Sequence, residues 1–291
     1  MIFIARGDTA AALRQRGLRV DSVAGDFLVR PAQVVEDPAG AGPVDLVILG
    51  VKAWQVPEVA PLLEPLLGEE TAILPLQNGV EAADQLAETV GGHHVLGGLC
   101  RIFCRNAGPG HVRHVGAEPA VVLGELDNSA SDRVASVRHA FRAAGVGAEV
   151  SENIQAALWS KLLFVTPVGS VGAAARVPIG ELRADTQTRQ QLVDCMTEID
   201  TLARHLGIFL PDDVVSSTLE FIDNLPADNF ASMARDLMER RPSELEAQLG
   251  AVVRLADEAN LDLPVNRALY ELLLPLEQSA RQGAERGTAL R

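Results

Sequence analysis

Of the 25 lysine and arginine residues in this 291-residue chain, only Lys52 and Lys161 are lysines. Both stand in apolar stretches, "VILGVKAWQ" and "ALWSKLLF". Arginine stays protonated in essentially any setting, whereas lysine is a compact point charge whose pKa falls readily on burial. A chain that writes nearly every other cation as arginine is therefore expected to use these two lysines for chemistry. Lys161 lies on an apolar helix, so its ammonium must reach a carboxylate or face a cleft, because an unpaired buried charge is costly. Glu244, in "RRPSELEAQLGAVVRLA", is an available partner, and Ser232 precedes it in "FASMARDL". By local pattern alone, Ser232 and Glu244 read as helix caps or first-turn charges.

A second group of polar residues follows strand-like runs. "VILGVKAWQ" places Lys52 and Gln55 just past the carboxyl end of one strand, and "LPLQNGV" places Gln77, Asn78 and Gly79 at the same edge of the next. Spacing leaves two readings equally open: groups along the path of a bound dinucleotide, or an ordinary strand-to-helix turn capped by Asn78. His111 and His114 in "GHVRHVG" would point to opposite faces of a strand, which favours structural roles over a shared metal; His93 and His94 have the same defect. Cys100, Cys104 and Cys195 are odd in number and lack CxxC spacing, so buried, reduced thiols are expected and a disulfide framework or zinc knuckle is not.

The elements that must position these groups alternate along the first half. "MIFIA" reads as a buried strand, "DTAAALRQRG" as a helix with Asp8 as N-cap and Gly17 as its stop, and "LRVDSV" with "DFLVRPAQVVE" as short strands or a hairpin. "VDLVILGVKA" is a continuous apolar strand backed by a helix from Trp54 to Leu67, and "TAILPLQNG" with "VEAADQLAETVGG" repeats the unit. Such alternation predicts a parallel sheet covered on both faces, with ligands at the carboxyl ends of its strands. A glycine-rich strand region, a helix from Ser129 to Ala144 and the strand "GAEVSE" close this half. From Asn153 onward the pattern is helical only, with a tail at "SARQGAERGTALR" expected to fray. The boundary is placed near Val150, giving a dinucleotide-binding domain over residues 1–149 and a substrate and catalytic domain over 150–291.

Composition excludes several classes. A net charge of -14 and a pI near 4.9 argue against a nucleic-acid partner, which requires clustered basic residues. The most apolar region, "ALWSKLLFVTPVGSVGAAA", carries a lysine and is not expected to span a membrane, and no secretory leader is expected from the opening residues. A cytoplasmic protein with no membrane partner is expected, with a homodimer as the default oligomer.

Taken in order, "IARG", "VILGVKAWQ", "LQNGV", "ALWSKLLF", "SMARDLMERRPSELEAQLGAVVRLA" and "LPVN" resemble the ketopantoate reductases, or 2-dehydropantoate 2-reductases, over nearly the whole chain. The resemblance implies a Rossmann domain followed by an all-helical domain and NADPH-dependent reduction of a 2-keto acid, typically 2-dehydropantoate to pantoate in pantothenate biosynthesis. It also implies residue roles. Arg6 would pair with the 2'-phosphate of NADPH, a task that suits a planar guanidinium. Lys52 and Gln55 would belong to the cofactor-side loop, and Asn78 would lie near the nicotinamide and the substrate. Lys161 would be the catalytic lysine, Ser232 would bind substrate, and Glu244 would help hold the substrate and orient the lysine.

Two departures from the family pattern stand out. Asparagines usual one and two turns after the catalytic lysine are replaced by Val165 and Gly169, which points to a bulkier or less hydroxylated acid. The family also carries a strand, a GxGxxG turn and a helix before the segment matching "IFIARG", and this chain lacks them. Without that strand, two inner strands would keep unpaired ladder groups across a gap. A start codon assigned too late, a decayed reductase, and a shortened chain completed by another chain would each explain this, the first being favoured. The competing reading is a cofactor-free binding or regulatory protein on the same scaffold.

Overall fold

The computed structural model describes residues 1–289 and forms two compact units. The first comprises Met1–Val51, Gln55–Gln77 and Ala82–Ile154; the second takes up Lys52–Trp54, Asn78–Glu81 and the chain from Gln155 onward.

The first unit is α/β. Its elements are β1 (Ile2–Ile4), α1 (Gly7–Arg16), β2 (Leu18–Ser22), β3 (Phe27–Val29), β4 (Gln33–Val35), β5 (Leu46–Leu49), α2 (Val56–Val59), β6 (Ala72–Pro75), α3 (Ala82–Val90), β7 (Leu96–Gly108), β8 (His111–Glu125), α4 (Asp132–Ala143) and β9 (Gly147–Val150). The expected parallel strands form as two separate pairs, β1 with β4 and β5 with β6. Among the described residues β1 and β5 therefore each use one edge only, and Ile2, Ile4 and Ile48 are exposed. A mixed sheet of β3, β2, β8, β7 and β9 completes the unit, with β7 and β8 forming a long antiparallel hairpin.

Strand alternation in β6 explains how helices cover both faces. Ile73 points into a cluster with Val47, Leu49, Val56, Leu63, Leu66 and Leu86, while Ala72 and Leu74 point into another with Leu96, Leu123, Val134 and Val137. The segment expected as one helix from Trp54 to Leu67 is instead a short α-turn between 3-10 stretches at Ala53–Gln55 and Ala60–Leu66. Pro57, Pro61 and Pro65 recur every four residues, and each removes an N–H that an α-helical ladder needs. Asp8 is not the cap of α1: the helix begins at Gly7 after the extended Arg6, and Asp8 lies in its first turn. Gly17 does stop it, at φ 79°, where a Cβ would lie 2.3 Å from the Val29 carbonyl oxygen.

The second unit is helical: α5 (Ile154–Ala175), α6 (Ile179–Ala184), α7 (Thr186–His205), α8 (Val214–Asp223), α9 (Ser232–Met238), a π-turn at Glu246–Gly250 running into α10 (Ala251–Glu258), and α11 (Pro264–Ala289). By length and composition alone α5 could cross a membrane, but 67% of its apolar window is buried inside the protein, as befits a core helix that is apolar all round. The "LPVN" motif has a structural task. Glu198 on α7 accepts from the N–H groups of Val265 and Asn266 at 2.9 Å each, satisfying the start of α11, while Cys195 donates to the Asn266 side chain at 2.9 Å. Cys195 is buried as expected, whereas Cys104 is exposed and Cys100 half-buried. The tail expected to fray continues as helix to Ala289, and positions 290 and 291 lie outside the described residues.

Candidate active site

Asn78 and Glu244, 166 positions apart in sequence, meet in the second unit. The Asn78 amide donates to Glu244 Oε2 at 3.0 Å, and the backbone N–H of Ala53 points to Oε1 at 3.5 Å. Glu244 is buried, so these donors face a carboxylate largely removed from water. The approach of the two segments depends on Gly79. Its φ is +109°, and a Cβ there would lie 2.4 Å from the Ala247 carbonyl oxygen in the π-turn. Asn78 is therefore held against the turn that follows Glu244 and does not cap α3, which starts at Ala82. A π-turn inserts an extra residue per turn and re-aims the side chains around it, and such turns recur at functional sites.

Lys52 also belongs to this unit. Its ammonium lies 3.5 Å from Asp236 on α9 and 5.7 Å from the centroid of the Trp54 ring. The apolar surroundings suggested by its sequence do not enclose it, since 44% of its side chain is exposed. Lys161 lies half-buried in the first half of α5, and Ser232 is exposed at the first position of α9. These helices pack through Gly169 and Gly172, whose missing Cβ atoms would meet Met233 Cε at 2.6 Å and Ala234 Cβ at 3.7 Å. Met233 thus fills the space that an asparagine at position 169 would need. Val165 lies half-buried one turn after Lys161.

The remaining candidates belong to the first unit. Arg6 is exposed at the carboxyl end of β1 and lines a depression of about 330 Å³ with Glu36, Asp37, Pro38, Pro61, Leu62, Glu64 and Pro65. Gln55 is half-buried at the end of a 3-10 turn. Gln77 was singled out only as part of a turn, yet it is buried, and its amide nitrogen is fixed by the carbonyls of Leu49 and Val51 at 2.8 and 2.9 Å. Its Oε1 is a buried acceptor with no donor among the described residues. Exposed Arg6 fits an anionic group, although three carboxylates share its depression.

His111 pairs with Asp21 at 2.9 Å and His114 with Ser22 at 2.8 Å, and no group of three or more potential metal ligands occurs among the described residues. The Arg19 guanidinium and His111 hold the Asp21 carboxyl below the usual carboxylate range. The sequence does not single out Asp236 and Trp54, which contact Lys52, or Ser243 and Glu277, which bind each other beside Glu244. Glu277 and Arg281 read as an ordinary i, i+4 surface pair, and nothing in their spacing signals that Glu277 is only 1% exposed.

Comparison with known proteins places this geometry. The sequence pattern of ketopantoate reductase PanE/ApbA matches residues 1–128, and that of the ketopantoate reductase PanE/ApbA C-terminal region matches residues 153–277. The 2-dehydropantoate 2-reductase of Nostoc sp. is 30% identical over 276 residues, covering 93% of this chain and 86% of the relative. That of Halobacterium salinarum is 31% identical over 281 residues, covering 93% and 92%. The crystal structure of a PanE/ApbA family ketopantoate reductase from Ralstonia eutropha superposes with a TM-score of 0.87 at 31% identity, covering 96% of this chain and 91% of the other. Both halves of the sequence, and the fold they build, show that this chain belongs to the ketopantoate reductase family.

Proposed function

We propose that the chain reduces a 2-keto acid to the 2-hydroxy acid with NADPH, acting on 2-dehydropantoate or a related acid in pantothenate biosynthesis. The observation that carries this reading is the Asn78–Glu244 pair, an amide and a buried carboxylate brought together in the helical unit from distant parts of the sequence. Residues 1–149 would serve mainly to bind the dinucleotide and residues 150–291 to bind substrate and carry the chemistry, with Lys52 and Asn78 lent to the second task.

Arg6 would hold the 2'-phosphate, while Lys52, Gln55 and Asn78 would line the cofactor path. NADPH, when bound, supplies the hydride that forms the new C–H bond at the keto carbon. Lys161 would donate a hydrogen bond to the keto oxygen, stabilise the negative charge that grows there as the C=O π bond breaks, and give that oxygen its proton. Glu244 would orient the Lys161 ammonium and, with Asn78 and Ser232, hold the substrate. An ammonium that interacts more strongly with the alkoxide than with the ketone lowers the barrier instead of merely tightening binding.

The apolar filling beside Lys161 favours a less hydroxylated acid over 2-dehydropantoate. Met233 occupies the room facing Gly169, and Val165 offers no hydrogen bond, so a hydroxyl buried there would forfeit about 1–3 kcal/mol. We place the protein in the cytoplasm as a homodimer. The test is consumption of NADPH by the purified chain with 2-dehydropantoate and a panel of 2-keto acids with apolar side chains. Turnover that favours the apolar acids supports the reading, with Arg6→Ala narrowing the preference for NADPH over NADH. Absence of turnover with every 2-keto acid would refute it.

A further inference from the structure

The short segment that carries Glu244 is held by a buried clamp from α11. Ser243 is completely buried, and its N–H donates to both oxygens of Glu277 at 3.2 and 2.9 Å while its hydroxyl donates to Glu277 Oε2 at 2.6 Å. The same hydroxyl accepts from the N–H of Leu245 at 3.2 Å, on the far side of Glu244. One turn beyond Glu277, Arg281 donates from Nε to Glu277 Oε1 at 2.6 Å and from Nη2 to the Ser243 carbonyl at 3.1 Å. Both backbone polar groups of Ser243 are therefore gripped by one carboxylate–guanidinium pair, and Glu244 projects from the next residue.

A second chain of contacts reaches the same guanidinium. Arg281 lies 4.7 Å from the centroid of the Trp54 ring, which also receives Lys52 at 5.7 Å, and the N–H of Ala53 faces Glu244. Residues 52–54 and Glu244 are thus tied to one anchor. A carboxylate 1% exposed is costly to keep ionised without partners, and here three hydrogen bonds and one cation satisfy it. Glu277 itself contacts none of the groups assigned to the reaction, yet it grips the residue next to one of them.

We propose that Glu277 is a positioning residue which, with Arg281, fixes Ser243 and so aims the Glu244 carboxylate at Asn78. The proposal rests on Glu244 acting in the reaction as set out above. Glu277 touches no reacting atom; it acts through the Ser243 peptide. In Glu277→Gln the amide still accepts from the Ser243 N–H, but the charge that holds Arg281 is gone and the hydroxyl contact is weakened.

Two readouts test this on the full chain. Amide hydrogen exchange in Glu277→Gln is expected to speed up at Ser243, Glu244 and Leu245 while α7 keeps its protection. Steady-state kinetics is expected to show kcat reduced about 10- to 100-fold, as misplacement of a catalytic group does, with a smaller change in KM for NADPH. Unchanged exchange at these three amides would overturn the clamp. Faster exchange with kcat preserved would overturn the positioning role. If Glu277→Gln does not fold, Ser243→Ala removes only the hydroxyl contacts and is read in the same two ways, with the same outcomes overturning the proposal. A parent chain that folds but turns over no 2-keto acid identifies the underlying functional reading as the failure, while the exchange data still report the clamp.

Discussion

Gly79→Ala is the substitution whose consequence follows most directly from the structure. Two independent costs arise at one position. The backbone stands at φ +109°, a region that side chains disfavour by about 1–3 kcal/mol. The added Cβ would also lie 2.4 Å from the Ala247 carbonyl oxygen, and ordinary contact begins near 3.4 Å, so the two segments must part by roughly 1 Å. The neighbour is backbone within a π-turn, which cannot swing aside as a side-chain tip can, and overpacking of this kind costs about 1–3 kcal/mol. Together these give a destabilisation of about 2–6 kcal/mol, measurable as a lower urea midpoint at unchanged slope. Because Asn78 precedes Gly79, the same parting lengthens the 3.0 Å contact with Glu244 and is expected to lower turnover about 100-fold. A variant within about 0.5 kcal/mol of the parent, with normal turnover, would show that the Asn78–Glu81 segment is not seated on the π-turn as described.

How far the sequence announces this arrangement differs from element to element. The apolar runs in "TAILPLQ" and "VDLVIL" correctly announce parallel strands; β6 is buried on both faces, as such a run implies, whereas Ile48 of β5 is exposed. Lys52, Asn78, Lys161 and Glu244 could be picked out as unusual, but the Asn78–Glu244 contact comes from chain topology that no local pattern encodes; only family resemblance suggested both residues for one site. The helix expected after Lys52 gives way because its three prolines overrule the apolar periodicity. Glu277 escapes notice for the opposite reason, since a Glu–Arg pair one turn apart looks the same in sequence whether it lies in water or grips a buried peptide.

Other outcomes are equally specific. In Gly180→Ala a Cβ on α6 would stand 2.6 Å from Ala227 Cβ and 2.9 Å from its carbonyl oxygen, so a loss of about 1–3 kcal/mol is expected by urea denaturation, and a neutral effect would refute this packing. The Arg133 guanidinium, with Ser131 assisting, holds the Glu125 carboxyl below its usual range. The stability this adds is present above the ordinary glutamate pKa and is lost as pH falls through the lowered value, so Arg133→Met should flatten the decline in urea midpoint between about pH 5 and pH 3. A thiol reagent should modify exposed Cys104 first, whereas Cys195, whose thiol burial pushes far above its usual range, should react only on unfolding; early labelling of Cys195 by mass spectrometry would contradict the packing of α7.

The claim at the centre of the account is that Lys161 supplies charge stabilisation and a proton at the keto oxygen. Single-turnover reduction of the preferred 2-keto acid by excess Lys161→Ala enzyme, followed through the loss of reduced nicotinamide absorbance, isolates that step from cofactor binding and product release. The expected result is a hydride-transfer rate reduced about 10²–10⁴-fold at saturating NADPH, with NADPH affinity close to that of the parent. A single-turnover rate close to that of the parent would contradict the account and make Lys161 a structural residue of α5.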